Sequence, residues 1–191
     1  MSGRAILVTS VGAVSGSRAA AAALACAGSE PDRAGLLIDL GENRAPRPSL
    51  IATAAARELE ERLAAHLPEA GVASRGRICC LALPPDMDGV ERIAAALPLV
   101  RDSVAVIHLA PCLLQEALAE PRIRPTAALL CANLRTDRAL TALAVRDLME
   151  RGIRTAVLKR SLGWVAARAA LLGASPENSA LPLRLAERLI E

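Results

Sequence analysis

Residues 5–25 read AILVTSVGAVSGSRAAAAALA, an apolar run followed by two separated glycines and a run of alanines. A partly β-branched run that turns at Gly12 and Gly16 into a helical segment is the strand–loop–helix pattern of a phosphate-binding loop. In such a loop the glycines let backbone N–H groups point at an anion, a lysine neutralises the phosphates, and a Ser or Thr hydroxyl holds Mg²⁺. Here Ser17 and Arg18 follow Gly16. The pattern therefore predicts the shape of the loop without its usual chemistry.

The composition indicates a globular protein with a single domain over residues 1–191. The chain is long enough to bury a full core, 53% of its residues are hydrophobic, and its net charge is only +3. That charge does not favour a nucleic-acid partner, and one tryptophan with no tyrosine or phenylalanine gives no aromatic surface for stacking on bases. The five cysteines lie in apolar runs without CxxC spacing, so we expect buried, reduced thiols. Since neither a signal-peptide pattern nor an apolar run of ~20 residues is present, we expect a cytoplasmic protein.

Short apolar runs alternate six times with helical patterns, which is typical of a doubly wound α/β domain. Most of the runs are continuously apolar, as expected of parallel strands that are covered on both faces. We therefore predict a three-layer α/β fold with a mostly parallel sheet. The predicted strands are Arg4–Thr9, Ala34–Leu40, Arg77–Leu83, Ser103–Leu109, Thr126–Ala132 and Arg154–Leu158.

Helical periodicity predicts a helix after most of these strands. In the predicted helix Thr136–Arg151, Leu140, Ala144 and Leu148 recur at a spacing of four residues and should form the buried stripe. Gly152 lies just past the end of this helix, where a glycine is common. The predicted helices are Ala19–Ala25, Ile51–Leu67, Gly89–Leu97, Leu113–Ala119 and Thr136–Arg151, and a last one begins near Leu181. The stretches 41–49, 71–76, 84–88 and 173–179 are predicted to be irregular.

The order of these segments resembles the ParA/MinD family of deviant P-loop ATPases over nearly the whole chain. In that family the first strand continues into VTSGKGGVGKTT, and here residues 8–19 read VTSVGAVSGSRA. The resemblance places the family's last glycine on Gly16. Its two lysines fall on Gly12 and Ser17, and its Mg²⁺-binding threonine falls on Arg18.

Three later strands resemble further motifs of the family. The segment GLLIDL is similar to VLLIDxD, so the resemblance gives Asp39 the place of an acid that acts near the attacking water and the metal. In ICCLALPP, Ala82 stands where the family has its metal-linked Walker B aspartate. The segment LCANLR is similar to a strand whose asparagine commonly contacts adenine, which implies that role for Asn133.

These replacements predict that ATP hydrolysis is lost. Catalysis of phosphoryl transfer is almost entirely positioning and charge neutralisation, and one preorganised group typically contributes about 2.7–4 kcal/mol. We therefore expect no catalytic residue, no metal site and no required cofactor. Binding of ATP or ADP stays open, and the alternative is that the glycines only form a tight turn between strand and helix. The candidate nucleotide contacts are Gly12, Gly16, Ser17, Arg18, Asp39 and Asn133.

The resemblance also implies a homodimer or a larger assembly. Members with degenerate P-loops, such as the TadZ/CpaE group linked to pilus assembly, act as positioning scaffolds, so we expect a non-hydrolysing localisation or assembly factor. Two alternatives are an ATPase that uses Arg18 as its cation, and a structural subunit without a ligand. No nucleic-acid partner is expected, and the short final segment of mixed charge does not support membrane association.

Other candidate groups carry less weight. His108 lies in a predicted buried strand without a second ligand at metal-binding spacing, and Cys112 follows that strand without a neighbouring base. His66, at the end of a predicted helix, is placed to interact with the helix dipole. Since GxSxG is absent, we expect any set of Ser, His and Asp residues to be accidental.

Overall fold

The computed structural model describes residues 4–12, 16–40, 51–83, 87–100, 103–132, 138–158 and 189–190. Within these ranges the strands are β1 Arg4–Val11, β2 Gly35–Leu40, β3 Gly71–Arg75, β4 Ile78–Leu83, β5 Val104–Leu109, β6 Pro125–Ala132 and β7 Arg154–Leu158. The helices are α1 Ser17–Ala27, α2 Ala54–His66, α3 Met87–Ala96, α4 Leu114–Ala119 and α5 Arg138–Glu150. Short 3-10 helices cover Leu97–Val100 and Pro111–Leu113.

The strands form one sheet in the order β3-β4-β2-β5-β1-β6-β7. All neighbouring pairs are parallel except β3 and β4. Six strands lie where the apolar runs predict them, so the predicted α/β class with a mostly parallel sheet is confirmed. The carboxyl ends of β1, β2 and β5 meet at one edge, which is where α/β sheets of this kind place their ligands.

Side chains of the sheet alternate between two covered faces because a strand repeats every two residues. On one face, Leu7 and Ile107 belong to a core that α2, α3, α4 and α5 cover. On the other face, Val8 and Val106 pack against α1, and Leu189 belongs to the same cluster. The chain thus forms the three layers that the sequence predicts.

The sequence does not predict β3. Residues 71–76 are predicted to be irregular, yet β3 pairs antiparallel with β4 over its whole length. Gly76, in the two-residue turn that follows, has a φ of 53°, which glycine adopts readily in hairpin turns. Only Ala73 and Ser74 of this strand are buried. It therefore lacks the continuous apolar run that identifies the parallel strands.

The predicted apolar stripe of α5 is wrong at its first position. Leu140 is 57% exposed, whereas Leu148 is fully buried and Thr141 is also buried. Helix α5 contacts β6 and β7 at the end of the sheet, so only a narrow line of its surface reaches the core. Gly152 follows the helix with a φ of 75°, which confirms the predicted glycine at the helix end.

The predicted last helix near Leu181 and the irregular stretches 41–49 and 173–179 lie outside the described residues, apart from 189–190. In the part of the chain that is described, no helix has the length and apolar character needed to cross a membrane.

Candidate functional site

The turn between β1 and α1 has a left-handed backbone at both of its described glycines. The φ angle is 71° at Gly12 and 104° at Gly16, and residues that carry a Cβ rarely adopt these backbone angles. The carbonyl of Gly16 accepts a hydrogen bond from the N–H of Ala20 at 3.0 Å, which begins the helix. Gly16 has no side chain with which to cap α1, and the first turn holds no acidic residue. The positive end of the helix dipole is therefore not offset by a carboxylate within the first turn of α1.

Asp39 and His108 lie side by side near the carboxyl ends of neighbouring strands. They are register partners on β2 and β5, and each is the last residue but one of its strand. The His108 Nδ1 lies 2.7 Å from Asp39 Oδ1. Asp39 is 3% exposed, and the side chain of His108 is 14% exposed. Adjacent parallel strands thus bring an imidazole and a carboxylate into contact where solvent hardly reaches.

Helix α1 places its first two residues on this pair. The Ser17 Oγ lies 2.9 Å from His108 Nε2, and Ser17 is buried. The Arg18 Nε lies 2.5 Å from Asp39 Oδ2, and the side chain of Arg18 is 34% exposed. Ser17, His108, Asp39 and Arg18 form one connected group at the carboxyl edge of the sheet, which we call the Ser–His–Asp–Arg cluster.

The hydrogen-bond directions in the cluster follow from its donors and acceptors. A carboxylate at Asp39 only accepts, so the ring N–H at Nδ1 of His108 donates to it. In the neutral ring the other nitrogen, Nε2, is then an acceptor, and the hydroxyl of Ser17 donates a hydrogen bond to it. The cluster is therefore an ordered chain in which serine donates to histidine and histidine donates to aspartate.

Arg18 compensates the buried charge of Asp39. The Arg18 Nε and the Asp39 Oδ2 are both inaccessible to solvent and lie in contact with each other. A buried carboxylate needs such pairing, because removing a charge from water costs several kcal/mol unless an opposite charge is close. With His108 on the other oxygen, both oxygens of the carboxylate have a partner.

The cluster contains three of the residues for which the sequence resemblance predicts contact with a nucleotide, Ser17, Arg18 and Asp39. Ser17 stands at the predicted lysine position, and its hydroxyl is engaged by His108. Ala82, the register partner of Asp39 on β4, presents a methyl group at the position predicted for the Walker B acid. Over the ranges that the structure describes, no three or more His, Cys, Asp or Glu side chains are grouped so as to hold a metal ion.

The predicted nucleotide contacts divide into three groups. Ser17, Arg18 and Asp39 come together in the cluster. Their polar groups already have partners there, since Ser17 and Asp39 are hydrogen-bonded to His108 and Arg18 is paired with Asp39. Gly12 and Gly16 shape the turn next to them. Asn133 lies outside the described residues. Contact of these residues with a nucleotide stays a prediction.

Sequence reasoning weighs His108 only as a metal ligand and misses its place between Ser17 and Asp39. From the sequence we expect only accidental sets of Ser, His and Asp, and we do not foresee that Ser17, His108 and Asp39 are joined by two short hydrogen bonds. A signal was present in the sequence, since two predicted apolar strands each carry one polar residue just before their last position. Its use required the order of the strands, which places β2 beside β5. His66 behaves as predicted, with Nδ1 2.8 Å from the carbonyl of Arg62 at the end of α2.

The thiols are not all buried as expected. Cys26, Cys79 and Cys131 are buried, Cys80 is half-buried, and Cys112 is exposed in the short helix after β5. Burial raises the pKa of Cys79, and it raises the pKa of Cys131 to about 11. The buried thiols are therefore protonated and unreactive at neutral pH.

Together, the sheet order, the helices on both faces and the glycine turn before α1 define an α/β fold of the ParA/MinD-type P-loop class. The structure is similar to the crystal structure of a ParA family ATPase from Chlorobium tepidum TLS, with a TM-score of 0.50 over 98% of this chain and 96% of that chain. The two sequences are 13% identical, so the likeness is one of fold. No protein-family model matches the chain, and no curated protein matches it in sequence.

Proposed function

We propose that this protein is a ParA/MinD-like localisation or assembly factor that does not hydrolyse ATP. One observation carries the proposal: the side chains at the phosphate-binding position satisfy one another instead of remaining open to a nucleotide. Ser17 is bonded to His108, and Arg18 is paired with Asp39. The site is an internally neutralised cluster.

The charge balance of the cluster opposes binding of a triphosphate. For Arg18 to neutralise a phosphate, it would have to give up Asp39, which is only 3% exposed. Breaking a fully buried ion pair costs about 3–5 kcal/mol, and the partial exposure of the Arg18 side chain places the cost at or below the lower end. That free energy would be subtracted from any affinity for a nucleotide.

Hydrolysis meets a further obstacle at Ala82. Its methyl group cannot hold a metal ion or orient a metal-bound water, and the position of the phosphate-binding lysine is taken by Ser17. Each such group typically contributes about 2.7–4 kcal/mol to stabilisation of the transition state. Two losses together lower a turnover of about 10 per second to well below one per minute.

Binding of ATP or ADP without hydrolysis is the second candidate function. The observation that favours it is the uncapped N-terminus of α1 behind Gly16, where backbone N–H groups and the helix dipole attract an anion. In that case Gly12, Gly16, Ser17, Arg18, Asp39 and Asn133 are the contacts we propose.

The scaffold role itself rests on the resemblance of the motifs and on the shared fold. By analogy with degenerate members of the family, we place the protein in the cytoplasm as a homodimer or as part of a larger assembly, associated with a pilus or a secretion system. No nucleic-acid or membrane partner is part of the proposal.

The test is calorimetric titration of ATP and ADP, with Mg²⁺, together with an assay for released phosphate. We expect no hydrolysis above about one per minute, against typical enzymatic rates near 10 per second. The double substitution Ser17→Lys and Arg18→Thr restores the family's Gly-Lys-Thr sequence at Gly16 and serves as the matched comparison. Hydrolysis by the unmodified protein at a higher rate would overturn the proposal, and micromolar binding without hydrolysis would select the second candidate.

A further inference from the structure

Three members of the cluster have the relative positions of a nucleophile, a base and an orienting acid. The Ser17 Oγ is 2.9 Å from His108 Nε2, and His108 Nδ1 is 2.7 Å from Asp39 Oδ1. Both distances lie within the ~2.6–3.2 Å range that proton transfer from a serine to a histidine base requires. The three residues come from α1, β5 and β2, so the arrangement arises from the fold and not from a local sequence motif.

The surroundings of Ser17 suit a nucleophile. It is the first residue of α1, directly after Gly16 in its left-handed conformation, so its hydroxyl sits at the positive end of the helix dipole. Ser17 thus belongs to the helical turn whose backbone N–H groups have no partner within the helix, and this end of a helix favours a developing negative charge. The site is at the carboxyl edge of the parallel sheet, where α/β proteins bind small molecules.

The charges in the cluster select the kind of substrate. The Arg18 Nε lies 2.5 Å from Asp39 Oδ2, and the positive and negative charges of this pair compensate each other. The cluster therefore offers no surplus charge to an ionic ligand. The low exposure of Ser17 admits a small group more easily than a bulky one. A neutral carbonyl compound with a small acyl group fits both conditions.

We propose that Ser17 is an activated nucleophile that takes an acyl group from a neutral carboxylic ester and passes it to water. Ser17 Oγ forms a bond to the carbonyl carbon, its proton moves to His108 Nε2, and the carbonyl π electrons move to the oxygen. The intermediate collapses by breaking the bond to the leaving alcohol oxygen, which takes the proton from Nε2. Water then attacks the acyl-serine, gives a proton to Nε2, and the acid leaves as that proton returns to Ser17 Oγ.

Asp39 and Arg18 are positioning residues in this scheme. Asp39 holds the ring of His108 with its proton on Nδ1, so that Nε2 accepts from Ser17, and it stabilises the imidazolium that forms. Arg18 holds the second oxygen of Asp39 and fixes the carboxylate. The proposed hydrolysis uses no nucleotide, so it is tested without ATP and its failure is distinguishable from a failure of the proposed function.

The test uses a biotinylated fluorophosphonate on the folded full chain. Attack by Ser17 Oγ on phosphorus forms the O–P bond, expels fluoride and passes the hydroxyl proton to His108, so the reaction reports the activated serine. We expect stoichiometric labelling that peptide mass spectrometry places on Ser17, together with hydrolysis of p-nitrophenyl acetate. Protein unfolded in urea should not be labelled, because the cluster exists only in the fold.

Two substitutions and one matched control complete the test. Ser17→Ala should abolish labelling, and His108→Gln should lower its rate at least 100-fold, the usual minimum effect of a general base. His66→Gln changes the other histidine of the chain and should leave the rate within twofold. Absence of labelling in the folded unmodified protein, or a label on another serine, would overturn the proposal even if a substituted chain failed to fold.

Discussion

Asp39 is the residue on which the cluster depends, because its two oxygens contact different partners. Oδ1 accepts from His108, and Oδ2 lies against the guanidinium of Arg18. A carboxylate with 3% exposure that loses either partner has little water to replace it. The side chain of Asp39 thus couples the stability of the fold to the tautomer of the His108 imidazole.

Removing the arginine should therefore destabilise the protein. We expect Arg18→Ala to lower the free energy of unfolding by about 1–3 kcal/mol, the cost of leaving a buried polar group without its partner. Arg146→Ala is the matched control, since Arg146 is 3.7 Å from Glu150 on the surface of α5 and such a pair contributes about 0.3–0.5 kcal/mol. Urea denaturation measures both values, and equal losses would contradict the buried-pair argument.

Replacing the aspartate by its amide should reverse the tautomer of His108. The amide group that Asp39→Asn introduces can donate to Nδ1, which moves the ring proton to Nε2 and leaves Ser17 facing a donor. Imidazole ¹⁵N shifts in histidine-labelled protein report the tautomer, and the chain holds only two histidines. His66→Gln assigns the signals. An unchanged Nδ1–H signal in Asp39→Asn would show that the carboxylate does not set the tautomer.

At this scale, sequence reasoning reached the part of the cluster that is local. Gly16, Ser17 and Arg18 follow one another in the sequence, and Asp39 lies next to the last residue of a strand with a recognisable motif. His108 is distant from all of them in sequence, and its contact with Asp39 depends on β5 being the neighbour of β2. Strand order is a property of the packed sheet, so the third member of the chain of hydrogen bonds was not found.

Among the elements, α1 carries Ser17 and Arg18 into the site, and its alanine-rich surface is buried against the sheet. Its alanines from Ala19 to Ala25 are buried and keep the helix surface flat. A Cβ built on Gly35, at the start of β2, would lie 2.0 Å from the carbonyl oxygen of Ala25. The glycine at the start of β2 thus permits the close contact with the C-terminal part of α1, the helix whose first residue contacts His108.

A methyl group at this contact should force the helix away. We expect Gly35→Ala to lower the free energy of unfolding by about 3 kcal/mol or more, at the upper end of overpacking effects, because the obstacle is backbone and cannot rotate aside. Gly152→Ala is the comparison: nothing lies within 4 Å of its added Cβ, and only its φ of 75° is strained, at about 1–2 kcal/mol. Chemical denaturation of both variants measures the difference. A smaller loss for Gly35→Ala would mean that α1 moves without cost.

The elements also show what a pattern can predict. The six apolar runs predict the strands correctly, because a parallel strand that is covered on both faces is apolar throughout and does not alternate between apolar and polar residues. The sequence does not predict β3 because it lies at the edge of the sheet and only two of its five residues are buried. The predicted stripe of α5 is too wide because the helix covers the end of the sheet. Both errors occur at the edges of the sheet, where burial depends on neighbours that a local pattern does not contain.

For the whole molecule, a core without tyrosine or phenylalanine is built from aliphatic side chains, alanines and thiols. Cys26, Cys79 and Cys131 are buried in it, and burial raises the pKa of each thiol, to about 11 for Cys131. In the unfolded chain these thiols return to their ordinary pKa near 9. The folded state therefore binds more protons than the unfolded state above pH 9, so the free energy of unfolding falls as the pH rises.

This linkage predicts alkaline unfolding that the thiols drive. Stability should be unaffected by the thiols below about pH 9, and each buried thiol should then remove about 1.4 kcal/mol per pH unit up to its folded pKa. Urea denaturation between pH 7 and pH 11 measures the slope, which no tyrosine complicates. Cys131→Ala should make the slope shallower by about 1.4 kcal/mol per pH unit between pH 9 and 11. The control is Val106→Ala, a truncation in the same core cluster that removes no titratable group. It should lower the free energy of unfolding without changing the slope. If both variants kept the slope of the unmodified protein, the thiol at Cys131 would have to ionise as readily in the fold as in the unfolded chain, and the burial of this part of the core against α1 would be incorrect.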